Sequence, residues 1–520
     1  MSKDRTLTAT GVLLAAFLTL LAGHLVMKQY VLNTAIGGAA GSVLVAVIFF
    51  YVLFVRRDVF GFILVVYISS HFSFGDSNGG LFNITAFLVL ALYLTTNRLR
   101  EGLQRRDSVM FILLGVFVLW NVLGWFMKNP MPMTPKLTGI AAFFGFIFMF
   151  YLASNVVITK ERFRLFLTVT FFMVLYQFVV ALNQRYQLVS WNSPFLGQYL
   201  ELGETIDRTA IYAPTMGTLR HFELFGEYGV LLACLLMPLL SSSFTQRELR
   251  FGSNRIVVMI FICLSFTILT SNRAAAVLSV IMIVIYYLVL PMGVFSAIDR
   301  FGRQIKVIVV VALLVPVIGT YIGLKQLEED FASLASKKFT AESIVSGESI
   351  NRGSLISGGL QRIKQDSWWI GNGFGVPSSN RWAWFGVEPK IREMGASDFH
   401  SLYLSLPMIY GWIGSLAFLA MIGLTIARLF GVSLKYRNRK SFLIALSVGF
   451  TMFFGIFVID QYKISILRNP NYHMMFWIWL GLANSVSKTI RYEMHKKSVP
   501  VLSLHQAVNK IKTEDVSSSS

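Results

Sequence analysis

The sequence predicts an all-α polytopic membrane protein of roughly 12–14 transmembrane helices, and three observations predict it. Of 520 residues, 55% are hydrophobic and 14% charged, with a mean hydropathy of +0.63, which is too apolar for a soluble domain of this size. The apolar residues fall into segments of the length that crosses a hydrocarbon core of about 30 Å. Positive charge collects in every second loop, as the positive-inside rule requires of a multi-pass chain.

In order, the apolar segments lie near residues 11–27, 36–55, 59–72, 81–95, 109–126, 138–157, 165–182, 222–240, 256–270, 274–291, 307–323, 400–427, 441–459 and 471–487. The third, fourth and ninth are short, which sets the lower bound of the range. The first follows Lys3 and Arg5 as a signal peptide would, but it lacks a small-residue cleavage site and the parity of the later loops needs it, so it is read as retained. With the N-terminus in the cytoplasm, the inside segments hold 28 of the 46 Lys and Arg and 10 of the 26 acids. The outside is then nearly neutral, and both termini are cytoplasmic. The formal +20 is thereby explained by topology, and no nucleic-acid partner is needed. Residues 1–487 form the membrane domain, and 488–520 form a basic cytoplasmic tail expected to be disordered. Cys234 and Cys263 both lie inside apolar segments, which leaves no disulfide or zinc framework.

Two external loops are long, 183–221 and 324–399, the second between the eleventh and twelfth helices. Loops beyond about 15 residues are commonly functional or disordered. These carry Tyr186, Trp191, Phe195, Tyr199 and Tyr212, then Trp368, Trp369, Trp382, Trp384 and Phe385. Such aromatics suit either an interfacial belt or a platform for sugar rings. Within the larger loop, Gly371-Asn372-Gly373-Phe374-Gly375 allows positive φ and close backbone approach. It reads as a helix C-cap more readily than as a phosphate cradle.

His400 ends that loop and is the external residue best suited to proton transfer near neutral pH. Standing alone, it reads more readily as an interfacial histidine hydrogen-bonded to backbone or lipid headgroups. Arg273 sits in a very short external hairpin, against the positive-inside trend, and calls for an anionic partner. That partner is either Glu223, Glu227 or Asp460, or a phosphate. Arg220, Arg352, Arg362 and Arg208 are further external arginines. Together they suit a lipid-linked diphosphate, whose leaving charge is neutralised by metal or by basic side chains. There is no Asp-x-Asp on the outside, so metal is disfavoured and no cofactor is implied.

Four local patterns, spread over about residues 205–430, resemble the O-antigen ligase and O-antigen polymerase superfamily of bacterial membrane glycosyltransferases. Gly217-Thr218-Leu219-Arg220-His221, leading to Gly226, is similar to the family's entry into a central helix. Thr270-Ser271-Asn272-Arg273-Ala274 resembles its Ser-Arg-Gly turn, with Asn inserted and Ala for Gly. Arg352 precedes the Gly371 run as the family's Arg does its Gly-x-Gly. His400-Ser401-Leu402-Tyr403-Leu404 through Gly411 and Gly414 resembles its His-Asn-x-x-Leu helix, with Ser401 for Asn.

The resemblance implies a fold related to the C-type glycosyltransferases, in the bacterial inner membrane, with the large periplasmic loop over a lipid-accessible cavity. It also implies metal-independent, inverting transfer of an undecaprenyl-diphosphate-linked glycan to an acceptor hydroxyl. In that chemistry His400 is the general base, and Arg273, Arg220 and Arg352 bind the donor diphosphate. Arg208, Arg362 and Glu223 are secondary candidates. The acceptor is a glycan in a polymerase or lipid A core in a ligase of lipopolysaccharide or exopolysaccharide assembly, with a chain-length regulator as a candidate partner. A transporter or flippase of lipid-linked oligosaccharide is the competing class, and a noncatalytic scaffold a third. Transporters show internal repeats and broken mid-membrane helices, which the sequence does not display.

Overall fold

The structure is a computed structural model. It describes residues 46–71, 78–96, 107–128, 133–186, 215, 217, 219, 222–241, 248–270, 273–289, 369–374, 401–437, 441–462 and 466–498. Among these the chain is all helical, without a strand. The helices are α1 (Ala46–Val55), α2 (Val59–Ser69), α3 (Asn78–Thr96), α4 (Ser108–Met127), α5 (Met133–Asn155) and α6 (Lys160–Tyr186). There follow α7 (Phe222–Ser241), α8 (Ser253–Leu269), α9 (Arg273–Val289), α10 (Leu402–Lys435), α11 (Phe442–Asp460) and α12 (Pro470–Ser498). Five of them, α4, α6, α7, α10 and α11, are long and apolar enough to cross a membrane, and several shorter apolar helices accompany them. This is the pattern of a multi-pass protein in a lipid bilayer. The predicted segments at 11–27 and 307–323 lie outside the described residues, as does most of each long loop.

Burial sorts the helices into centre and rim. In α7 the whole apolar window is buried, and α12 buries Phe476, Trp477 and Trp479 completely. By contrast α4 exposes Phe111, Ile112, Leu119 and Phe126, and α6 exposes Phe172 and Val179. Exposed apolar faces of that size suit lipid rather than water. The core joins α7 to α8 and α11, α12 to α5, and α10 to α4. Its centre is aromatic, with the Phe117 ring in contact with those of Tyr410, Phe418 and Trp477.

Helix starts are capped by side chains where the basic loops end. Asp58 accepts from the Gly61 N–H, Asp107 from Met110 and Ser441 from Leu443, each satisfying an amide that the first turn leaves open. At that same end Arg428 is paired with Asp107, Lys160 with Glu248 at 2.7 Å, and Lys488 with Asn155 at 3.0 Å. The Phe442 N–H donates to Glu248. This rim ties α4 to α10, α5 to α12, and α6 to α11. Burial works against ionisation of Asp107, yet hydrogen bonds from Arg428 and the Met110 N–H, with the charges of Arg428 and Lys488, hold its carboxyl below the ordinary range. Helix α12 continues through Lys488 to Ser498, so the first part of the expected disordered tail is helical.

The helix that the Gly371 run was expected to cap lies outside the described residues, but 369–374 are described. Helix α10 is broken at Gly411, with φ 71° and ψ 169°, four residues after Pro407. The carbonyls of Met408 and Ile409 therefore lack helical partners, and the amides of Asn372 and Gly373 take them at 2.8 Å each. From α4, Trp120 donates to the Trp369 carbonyl at 2.7 Å and Trp125 to that of Phe374 at 2.6 Å, while Asn121 accepts from the Phe374 N–H at 2.9 Å. A Cβ on Gly371 would collide with the Ile409 carbonyl and the Gly411 amide. The segment 369–374 is thus wedged between α4 and the break. Irregular backbone at such depth is stable only where protein satisfies its polar groups. Its amides at 372, 373 and 374 are occupied by protein carbonyls and by Asn121.

Candidate functional site

Among the described residues, the opposite end of the bundle carries a cluster of buried polar groups. It gathers the ends of α2, α6, α8 and α11 and the starts of α7, α9, α10 and α12, so chain direction alternates as the predicted topology requires. The hub is Gln461, the residue that caps α11. Its side-chain amide donates to Glu227 Oε1 at 3.0 Å, its Oε1 accepts from the Ile466 N–H at 3.0 Å, and its backbone carbonyl accepts from the Leu402 N–H at 2.9 Å. One side chain and its carbonyl thus link α7, the start of α10 and the turn before α12.

Asn469 is the second connector. Its Oδ1 caps α12 by accepting from the amides of Asn471 at 2.9 Å and Tyr472 at 3.0 Å, and its Nδ2 donates to the Leu219 carbonyl at 2.5 Å. On the far side of the loop, Gln184 grips Gly217 through both N–H and C=O at 2.9 Å. Gly217 holds φ 55°, which glycine adopts without strain. The Thr215 amide donates to the Leu269 carbonyl at 3.4 Å.

Between the connectors lie Glu227, with no exposed surface, and Asp460, 7% exposed. Glu227, Asp460 and Tyr472 are close enough to interact electrostatically. Glu227 Oε2 and the Tyr472 hydroxyl complete no hydrogen bond. Two buried histidines flank this centre. In His71, Nδ1 lies 2.8 Å from the Tyr67 carbonyl and so donates there, leaving Nε2 to accept from the Tyr228 hydroxyl at 2.8 Å. That makes His71 a satisfied core histidine. His473 Nε2 accepts from Trp477 at 2.9 Å, its Nδ1 is without a partner, and its ring lies 5.3 Å from that of Phe374.

Of the residues expected to act, His400, Arg220, Arg352, Arg208 and Arg362 lie outside the described residues. Arg273 opens α9, with its side chain outside them. Glu223 is buried in the first turn of α7 and is partnered. The chain neighbours of three of these positions are nevertheless fixed. Leu219, next to Arg220, is bonded to Asn469. Leu402, two residues after His400, is bonded to Gln461. Helix α9, which Arg273 begins, packs on α7 and α11.

Sequence reasoning had named Glu227 and Asp460 only as partners for Arg273. It missed that they meet each other, and it missed Gln461, Asn469 and Tyr472 altogether. One signal was present: Glu223 and Glu227 stand four apart, on one face of α7. No protein-family model matches the sequence, and no curated protein is similar to it.

Proposed function

We propose that this protein is a membrane glycosyltransferase of the O-antigen ligase and polymerase type, working at the periplasmic face of a bacterial inner membrane. It transfers a polyprenyl-diphosphate-linked glycan to an acceptor hydroxyl, with His400 as general base and Arg273, Arg220 and Arg352 neutralising the departing diphosphate. The observation that supports this reading is the pair of connectors Gln461 and Asn469. They hold Leu402 and Leu219, and so the chain leading to His400 and Arg220, at one polar end of the bundle. Base and diphosphate-binding groups must share such an end, because attack and departure occur at one anomeric carbon. The electron pair of the acceptor oxygen forms the new bond as the carbon–oxygen bond to diphosphate breaks, and the hydroxyl proton goes to the base.

Purified protein, given a polyprenyl-diphosphate-linked oligosaccharide with EDTA present, tests it. Release of polyprenyl diphosphate is expected in wild type, with His400→Ala slower by about 10²- to 10⁴-fold and Arg273→Ala similarly impaired. Full turnover by His400→Ala removes that residue from the mechanism. One observation favours a second reading, a transporter or flippase of the same lipid-linked glycan: the break in α10 at Gly411, a feature of transporter helices. Movement of the donor across the bilayer without glycan transfer would establish that reading instead.

A further inference from the structure

Four polar rings touch in a closed circuit within the bundle. Between ring centroids, Tyr67 of α2 lies 4.7 Å from His71, His71 5.4 Å from Tyr228 of α7, Tyr228 6.1 Å from Trp479 of α12, and Trp479 6.4 Å from Tyr67. None of the four has exposed surface. A buried N–H or O–H either finds an acceptor or carries its desolvation cost. His71 Nδ1 donates to the Tyr67 carbonyl and the Tyr228 hydroxyl to His71 Nε2, at 2.8 Å each. The Tyr67 hydroxyl and the Trp479 indole N–H complete no hydrogen bond.

Thr170 on α6 adds a third donor. It stands one turn after Phe166, whose ring lies 5.3 Å from that of Tyr67, so both reach the same side. A helical threonine in an apolar interior commonly gives its hydroxyl to the carbonyl four residues back. Thr168 on the same helix does so at 2.9 Å, and Thr425 on α10 at 2.8 Å. Thr170 is as buried as its neighbours in the core, yet its hydroxyl makes no such bond. It is close enough to the Tyr67 hydroxyl to interact, as are Tyr228 and Trp479. Giving up the bond to its own helix at this depth calls for a replacement partner.

The lining discriminates between ligands. Three donors turned inward exclude a metal ion, which needs bare oxygens. Tyr228 excludes an anion, because its proton is committed to His71 and its oxygen therefore presents lone pairs. Water suits both kinds of group, since it accepts from two donors and donates to two acceptors. Buried waters join two to four such groups.

We propose that Tyr67, Thr170, Tyr228 and Trp479 form a binding site for ordered water inside the bundle, with His71 fixing the Tyr228 oxygen as an acceptor. Trp479 also touches Tyr472, at 5.9 Å and two turns earlier on α12, which places the site next to the polar centre. The site belongs to the fold and stands or falls separately from glycan transfer.

X-ray radiolytic footprinting of the full-length protein in lipid nanodiscs tests it, because hydroxyl radicals made from a bound water oxidise the side chains that touch it. In chloride buffer, Tyr67 and Trp479 are expected to be oxidised well above Trp477, which is equally buried but ringed by Phe117, Phe150 and Phe418. Thr170→Val keeps the side-chain shape without the hydroxyl and is expected to lose most of that oxidation, whereas Thr170→Ser retains it. Thermal unfolding verifies that each variant is folded. Oxidation of Tyr67 and Trp479 no greater than that of Trp477 overturns the proposal and marks a dry cluster whose side chains bond one another. So does oxidation unchanged in folded Thr170→Val, and so does oxidation that appears only when chloride is replaced by gluconate, which marks an anion site. Should Thr170→Val fail to fold, the wild-type comparison with Trp477 decides.

Discussion

Three chain segments meet at Gln461, two on its side chain and one on its backbone carbonyl. Replacing it with Leu leaves Glu227 and the Ile466 amide without their partner. An unsatisfied buried group costs about 1–3 kcal/mol, so Gln461→Leu is expected to lower the unfolding temperature in nanodiscs. Glu keeps the acceptor for Ile466 but adds a charge beside Glu227, so Gln461→Glu is expected to be no better. A thermal melt equal to wild type for Gln461→Leu would show that the clip carries no load. At the opposite rim the residue-scale expectation concerns pH. Burial pushes the Lys488 ammonium down from 10.5 to about 8, with the Arg428 charge adding to the effect and Asp107 opposing it. The unfolded chain therefore binds more protons than the folded one between pH 8 and 10.5, and stability rises with pH across that window. Asp107 acts in the acid range with the opposite limb: its carboxyl is held low in the fold, so its contribution is present above the ordinary carboxylate range and is lost as pH falls through the folded value. Thermal melts against pH should show Lys488→Gln flattening the alkaline rise and Asp107→Asn reducing the acid loss.

Among elements, the wedge at 369–374 makes the clearest demand on the chain. Helix α10 breaks nine residues after its start, which is roughly 14 Å along its axis at 1.5 Å per residue. The break is stable because the wedge supplies two amides to α10 while α4 supplies two indole donors and one amide oxygen to the wedge. Trp125→Phe keeps the ring contact with Phe143 but removes the bond to the Phe374 carbonyl. It should cost about 1 kcal/mol. Gly371→Val forces the wedge out, since its side chain meets the α10 backbone. Hydrogen exchange of the Asn372 and Gly373 amides should then rise sharply in Gly371→Val and modestly in Trp125→Phe; unchanged protection in both would mean the wedge is held by something else. The sequence marked these glycines as permissive and could go no further, because Gly371 and Gly411 are forty positions apart and hydrophobic pattern carries no record of which carbonyl meets which amide. The helices themselves were legible, since twenty apolar residues between charged turns leave few alternatives. The polar centre was not, because Asp460, Gln461 and Tyr472 each read singly as a polar residue beside a helix end. Their convergence depends on how α7, α11 and α12 pack.

For the whole molecule, direction is the property on which the proposed function depends. Lys160, Arg162 and Arg164 at the start of α6 and Lys435 and Arg437 at the end of α10 fall at one end of the bundle and the Gln461 centre at the other. The rim that pairs Arg428 with Asp107 and Lys160 with Glu248 lies at the basic end. By the positive-inside rule the basic end is expected to face the cytoplasm, and the proposed function requires the Glu227 centre to face the other way. A lipid-linked donor can be used there only if the loops face outward. Both native cysteines are fully buried, so Cys234→Ala with Cys263→Ala gives a silent background for labelling. Into it single cysteines would be placed at Ser379, in the large loop, and at Asn438, in the basic turn. On intact spheroplasts a membrane-impermeant maleimide should modify the cysteine at 379 directly and that at 438 only after the membrane is permeabilised. The reverse pattern would turn the molecule over and put the proposed acceptor chemistry on the wrong side of the membrane, whatever the residues at the site.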